Sequence, residues 1–424
     1  MASASNGIIK VSNTNLRAWI IWCVGSFAYV AAVFSRTSFG VAGEQAAERF
    51  NVSPSVLGLF VIVQMVVYAA MQIPSGLILD RVGSRLSMVG GTFVMGFGQC
   101  LLAFAENFWF GLGARVFIGA GDALIWMSAI RLIPAWFESR RVPLLTQISS
   151  MLGQVGQWAS AVPLVAILTH EGWGWTPGFL VVAGCCFVSL LMNATLVRDT
   201  PPGVERPKVA SKFSRSDLAV VLSAPGAWLG FFVHLATAST WLMFALMWGY
   251  NYLEQGQGRT TQEASWLFMV MIAGNLIVSP LIGVLTTKAG NQRTILALCC
   301  VATIGLAWAL LLAFPPPAPG WVLVVFMTVI GVCSPASNIA FDLVRTFLPA
   351  FRWGTGNGFV VVGGFLGGLI LVGVAGLVLG MLGHGPEAWR VAMLPVFVVL
   401  AVAVAGMLLT RRAAIKRQAA EQNR

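Results

Sequence analysis

Long apolar runs separated by short polar loops dominate the chain. Runs such as 57–70 and 359–382 show no alternation of apolar and polar positions. They fit helices and not the short alternating strands of an outer-membrane barrel. A helix that crosses a bilayer needs roughly 20 mostly apolar residues. Runs of about that length recur over 18–41, 56–79, 88–105, 109–136, 144–168, 177–197, 226–253, 262–286, 294–314, 321–347, 355–382 and 390–410. The pattern predicts an all-α membrane protein with twelve transmembrane helices. The first run is too long, and too closely followed by a second, for a cleaved signal peptide.

Composition agrees with the pattern. Of 424 residues, 58% are hydrophobic and only 10% are charged, too few charges to coat a soluble globule. The same hydrophobicity excludes disorder, and 7 Cys in so long a chain exclude a disulfide scaffold. All seven fall in predicted spans, where they read as small apolar packing residues, with no metal-ligand spacing.

Charge placement gives the orientation. Twenty of the 26 Lys and Arg fall in the amino-terminal tail, the even-numbered connections and the carboxyl tail. The opposite loops hold only Arg49, Arg259 and Arg390. This asymmetry predicts both termini in the cytoplasm. The basic excess is thus a topology signal. Nucleic-acid binding needs a basic soluble domain, and the chain offers none.

One long polar stretch, 198–225, divides the runs into two sets of six. We therefore expect an amino-terminal bundle over 1–197, a cytoplasmic linker over 198–225, and a carboxyl-terminal bundle with a basic tail over 226–424. A weak repeat links the halves. GLILDRVGSR begins at Gly76 and GVLTTKAGNQR begins at Gly283, and Gly83 pairs with Gly290 at the same offset of 207.

The first of these segments resembles the cytoplasmic signature of the major facilitator superfamily, through Gly76, Asp80, Arg81, Gly83 and Arg85; Ser84 replaces one basic position. A second family signature resembles Arg115, Gly119 and Gly121 in the fourth run. The resemblance implies two pseudo-symmetric six-helix bundles that rock about a central site. It further implies that the Gly76–Arg85 segment latches one conformation. An ordinary solvated turn is the competing reading. Thr287 stands where the first copy has Asp80, so the second latch is expected to be weaker.

Charges within spans are costly and are the default functional candidates. Arg36, late in the first run near Tyr29, looks like the helix-one arginine of the anion:cation symporter and organophosphate antiporter branches. A guanidinium can grip a carboxylate or phosphate through two parallel hydrogen bonds; the bland alternative is snorkelling to the headgroups. Asp122, in the fourth run, sits in a context like that of the symporters' proton-coupling acid. Arg115 lies two turns before it on the same helix face. We expect Asp122 and Arg115 to serve proton coupling and Arg36 to bind substrate with Tyr29, Trp126, His234, Trp241 and Asn338. A permanent Asp122–Arg115 or Asp122–Arg36 structural pair is the alternative. Arg131, Asp342 and Arg345, near the ends of the fourth and tenth runs, join the expected latch and gate, with a local Asp342–Arg345 ion pair competing.

Two departures bear on substrate. Ser35 replaces the acid that precedes the helix-one arginine in many symporters, and the seventh run offers His234 and Trp241 but no second arginine. A monoanion or amphiphilic carboxylate therefore fits better than a phosphate held by two arginines. The Gly-Pro signature of drug antiporters is absent from the fifth run, which demotes efflux without removing it. The expected function is proton-coupled uptake of a small organic anion at the plasma membrane by a functional monomer. Its partners are that small molecule and the lipid bilayer, with no nucleic acid; no cofactor or metal is expected, the proton gradient supplying the energy. Efflux of amphiphiles and a non-transporting sensor or partner subunit are the alternatives. An enzyme is not expected, since no nucleophile–base or metal constellation stands out.

Overall fold

A computed structural model describes residues 16–52, 54–170, 173–204 and 215–422. Lys10 of the expected cytoplasmic tail, 205–214 of the expected linker and Arg424 lie outside them. Among the described residues there are helices and turns and no strand. This is what a bilayer selects, because a helix satisfies its own backbone hydrogen bonds where water cannot.

Nine helical stretches are long and apolar enough to cross a membrane among the described residues. Two of them are double. Pro54–Ala103 bends at Gly83, whose φ of 87° and ψ of 174° are not helical. The stretch over 261–313 contains a short turn, Gly290–Gln292. A further span over 225–256 is interrupted by two π-turns, Phe244–Trp248 and Tyr252–Gly256. The total among the described residues is therefore twelve spans.

We number the spans α1 (Leu16–Thr37), α2 (54–82), α3 (84–103) and α4 (Phe108–Asp122 with Ile125–Trp136). There follow α5 (Val142–Ala159, continuing through a π-turn to Thr169), α6 (Trp175–Leu196) and α7 (225–256). The last five are α8 (Thr261–Ala289), α9 (Arg293–Ala313), α10 (Gly320–Cys333 with Ile339–Phe347), α11 (Trp353–Leu382) and α12 (Pro395–Gln422). Local chemistry sets their ends. Asn107 accepts a hydrogen bond from Phe110 N–H and caps α4. Thr260 and Glu263 form a capping box on α8. Proline stands in the first turn of α5 and α7, where its missing N–H costs nothing.

Two breaks were not legible as continuous apolar runs. α4 is interrupted just after Asp122. α10 narrows into a 3-10 segment, Ser334–Asn338, that contains Pro335. Proline removes one backbone donor and crowds the preceding turn.

One core is formed within residues 18–197; the other joins α7–α12 to Tyr68, Leu79, Trp126, Met127 and Ile130 from α2 and α4. The halves meet tightly at the end where α6 finishes and α7 begins, which we term the linker end. There a Cβ on Gly76 would lie 2.4 Å from the Gly354 carbonyl, and one on Gly283 would lie 2.7 Å from Leu144 Cα. Farther along the α2–α11 seam, Gly358 meets the Gln72 carbonyl and Tyr68 meets Phe365 at 5.1 Å between ring centroids. Farther along α2, Val61 is 37% exposed. The two halves are closed against each other at the linker end.

Candidate functional site

Toward the opposite, far end, Arg36 stands in the last turn of α1, and Asp122 is the last residue before the α4 break. Arg36 Nε donates to Asp122 Oδ2 at 2.7 Å and Arg36 Nη2 donates to Oδ1 at 2.9 Å. This fork geometry is the strong form of an arginine–carboxylate contact. A carboxylate with a side chain only 1% exposed needs such pairing to remain charged. The arginine side chain is 20% exposed, so it is the more accessible partner of the pair. Its Cζ lies 4.8 Å from the centre of the Tyr68 ring, within cation–π range.

An aromatic path lies on the linker side of this pair. Tyr29, two turns before Arg36, packs on Trp126 at 4.5 Å between centroids. Trp126 meets Phe341 of α10 at 6.2 Å, and Phe341 meets His234 of α7 at 5.7 Å. The path spans both halves. His234 sits in a notch on α11 where a Cβ on Gly364 would lie 2.2 Å from Nδ1. Nearer the linker end, Gln147 of α5 donates to the Pro335 carbonyl at 2.8 Å and accepts from Asn338 at 2.9 Å. Asn275 donates to Ser334 at 2.6 Å. The α10 break is thus held from two sides.

At the linker end Asp80 gathers at least four donors. Its Oδ1 accepts from Gly354 N–H and from Arg131 Nη1, each at 2.8 Å. Its Oδ2 accepts from Thr355 N–H at 2.8 Å and from the Thr355 hydroxyl at 2.6 Å. A carboxylate at the first turn of α11 meets both unsatisfied N–H groups and the positive end of the helix dipole. Arg85 donates from its backbone to Asp199 at 2.9 Å and from its side chain to the Ala194 carbonyl at 3.1 Å, while Arg81 is half-buried in the same stretch. The second copy is built differently: Thr287 donates to the Arg140 carbonyl at 3.1 Å. Asp342 and Arg345 form a local ion pair. Arg131, the positional counterpart of Arg345, instead reaches across to α2.

The structure brings Arg36, Asp122, Tyr29 and Trp126 together, and links His234 to them through Phe341. It places Asn338 against Gln147, and Trp241 half-buried against the second core. The option of an Asp122–Arg115 pair is corrected: the Asp122 fork goes to Arg36. Arg115 is fully buried, its Cζ 4.6 Å from the centre of the Phe39 ring, and its guanidinium makes no hydrogen bond among the described residues. Tyr68 and Gln147 were missed. Their signal was available in part, since Gln64, Tyr68 and Gln72 place a polar stripe at four-residue spacing in an otherwise apolar span.

The sequence pattern described as the Major Facilitator Superfamily matches residues 25–342 and again 230–424. A protein of Cupriavidus necator named as a probable sulfoacetate transporter is 23% identical over 304 residues, 68% of this chain and 69% of that one. A D-galactonate transporter of Escherichia coli is 26% identical over 266 residues, 57% of this chain and 60% of that one. A multidrug efflux pump of Mycolicibacterium smegmatis is 29% identical over 218 residues, 48% and 41% of the two chains. Among solved structures, a bacterial homologue of the iron transporter ferroportin superimposes with a TM-score of 0.70 at 16% identity, covering 94% of this chain and 99% of that one. At that identity the likeness concerns the fold.

Proposed function

The chain belongs to the major facilitator superfamily, and on that premise we propose that it carries a small organic anion inward together with a proton. It is a multi-pass membrane transporter and not an enzyme. The Arg36–Asp122 fork carries the finer reading. In the paired state Asp122 occupies the two guanidinium N–H groups that a substrate carboxylate needs. Protonation of Asp122 removes its charge and releases the fork. The substrate anion then takes the vacated N–H groups, and the buried site keeps one negative charge against one positive charge throughout. Proton and anion thereby travel together, because either alone leaves an unpaired charge in the bilayer interior.

Tyr29, Trp126 and Tyr68 wall the anion, and His234 closes the far side of the aromatic path. The latch at Asp80 and Arg131, with Gly76, Gly83, Arg81 and Arg85, holds the linker end shut while the far end is open. The Gln147–Asn338 contact adds to the same closure, while the Asp342–Arg345 pair stays within α10. We place the linker end and both termini in the cytoplasm and the monomer in the plasma membrane, on the strength of the positive-inside asymmetry. The organic-acid relatives support the anion reading. The kinship to a drug pump favours efflux of amphiphiles as the second reading.

The test is transport by the purified protein in liposomes. Substrate-driven proton uptake is expected to vanish in Asp122→Asn while substrate exchange persists. Arg36→Lys is expected to weaken binding sharply, because a single ammonium cannot reproduce the fork. Unchanged coupling in Asp122→Asn rejects the proton role, and accumulation only against an outward-directed gradient favours efflux.

A further inference from the structure

Between Val56 and Leu79, α2 carries four polar side chains, Gln64, Tyr68, Gln72 and Ser75. Two of them sit on the seam with the second half. Ser75 lies seven residues after Tyr68 and four before Leu79, on one face of the helix, and both Tyr68 and Leu79 belong to the core built with α7–α12. The Gln72 carbonyl lies against Gly358 of α11. Asn357, beside that glycine, opens on a pocket of about 10 Å³ between the halves. Its walls are Ile130, Thr146 and Phe341 with the ion-paired Arg131, Asp342 and Arg345.

Gln72, Ser75 and Asn357 are 0%, 1% and 4% exposed. One oxygen of each, Oε1 of Gln72, the Ser75 hydroxyl and Oδ1 of Asn357, has no hydrogen-bond partner among the described residues. The Gln72 amide is fixed in that orientation, because its Nε2 donates to the Tyr68 carbonyl at 3.1 Å. Other buried hydroxyls in the spans bond back to the preceding turn, as Ser279 does to the Asn275 carbonyl and Thr286 to the Ile282 carbonyl. Ser75 does not. Unpaired polar groups are unfavourable in a membrane interior, and the closed seam gains nothing from acceptors contributed by both halves. A ligand that donates hydrogen bonds to them would account for all of them.

The cluster adjoins the anion site on its linker side. The Arg36 guanidinium lies 4.8 Å from the centre of the Tyr68 ring, and Gln72 follows Tyr68 by one helical turn, about 5 Å of rise. Phe341, on the wall of the Asn357 pocket, meets Trp126 of the aromatic path at 6.2 Å. A hydroxyl a few carbons from a carboxylate held by Arg36 supplies the missing donor. A second carboxylate is acceptor-only, and a methylene leaves the oxygens unpaired.

We infer that Gln72, Ser75 and Asn357 form a hydroxyl subsite of the anion site, engaged when the linker end opens and α2 parts from α11, and that the substrate is a hydroxylated monocarboxylate. The inference rests on the reading of Arg36 as the carboxylate contact. It adds a dependence on hydroxyl groups that Arg36 alone does not require.

The experiment compares binding of gluconate and hexanoate, which share charge and chain length, to the full-length protein in nanodiscs. A site built to hydrogen-bond a hydroxyl rejects the analogue that lacks it, so the wild type is expected to prefer gluconate at least tenfold. Gln72→Leu and Asn357→Leu are each expected to cut that preference about fivefold. Both are expected to melt at or above the wild-type temperature, since each removes an orphaned polar atom. Gln64 is also orphaned but lies inside the first half, its carbonyl against Gly119 of α4, and Gln64→Leu is expected to keep the preference. Arg36→Met is expected to abolish binding of both acids. Equal binding of the two acids by the wild type, still dependent on Arg36, overturns the hydroxyl subsite and leaves the Arg36 reading standing. Binding that survives in Arg36→Met overturns the Arg36 reading itself. A gluconate preference unaltered in both seam variants, or lost equally in Gln64→Leu, overturns the assignment to the seam.

Discussion

Gln147 of α5 and Asn338 of α10 hydrogen-bond at 2.9 Å across the junction of the two halves, and the same glutamine donates to the Pro335 carbonyl at 2.8 Å. One buried amide is thus seated on the interruption of the opposing helix. Removing one partner of a buried hydrogen bond costs about 1–3 kcal/mol, because the other is left unsatisfied. Gln147→Leu is therefore expected to shift the protein toward a linker-end-open state by about 2 kcal/mol, roughly 30-fold in population. Distance distributions between spin labels at the linker ends of α5 and α8 report that shift. Adding Asn338→Leu is expected to cost less than the sum of the single changes, since both lose one shared bond. Strict additivity, or unmoved distances, would reject the contact as a closure element.

The two copies of the half-repeat make a matched comparison. Asp80 accepts four hydrogen bonds at the start of α11, while Thr287 donates one across the interface to the Arg140 carbonyl. A charged acceptor is worth about 1.5–3 kcal/mol per bond and a neutral one about half that. Asp80→Asn is expected to open the linker end far more than Thr287→Val does, by at least tenfold in population. Thiol-reagent access to a single cysteine placed at the linker end, in a cysteine-free background, measures both. Equal effects would mean that charge contributes nothing to the latch.

The twelve spans were legible because bilayer thickness fixes a length that any apolar run must meet. Arg36 and Asp122 were legible because charges in that medium are rare and expensive. The breaks in α4 and α10 were not, since hydropathy is blind to local winding; Ser334-Pro335 within an apolar run was the one hint. The partner of Asp122 stayed open between two arginines, Arg115 and Arg36, and the structure selects Arg36. Arg115 shares its helix face, but its side chain folds onto Phe39, and Arg36 arrives from α1. That choice depends on how α1 and α4 are rotated against each other, which spacing along one helix does not encode. Gln147 escaped notice for the same reason, as its partners lie 188 and 191 residues away.

Arg115 separates stability from coupling. Its guanidinium is buried without a hydrogen bond among the described residues and rests on one aromatic face. A desolvated cation–π contact contributes about 2 kcal/mol, while burying the ion costs several. Arg115→Met, of similar length and apolar, is expected to melt at the wild-type temperature or higher. Substrate-driven proton uptake in the same variant is expected to fall, since nothing in packing explains retaining the charge. A melting point lowered by many degrees would show that Arg115 is structural, and full coupling would remove it from the proton route.

Gly76 offers the sharpest separation of folding from cycling. A Cβ there would lie 2.4 Å from the Gly354 carbonyl and 2.8 Å from Thr355 Cα. Both are backbone atoms, which cannot yield as a flexible side chain does. Leucine is the better helix former by about 1 kcal/mol, and the obstruction falls between the halves and not within either core. Gly76→Leu is therefore expected to fold and insert normally, with its helical content kept. The α2–α11 contact at the linker end is then blocked, the protein is held open at that end, and net transport is lost while binding from the far end weakens. Gly90→Leu, with no atom near its added Cβ, is expected to transport as the wild type does. Circular dichroism and thermal melting check the fold, and uptake into liposomes with linker-end cysteine labelling checks the cycle. If Gly76→Leu transports at the wild-type rate, close approach of α2 and α11 is not a step in the cycle.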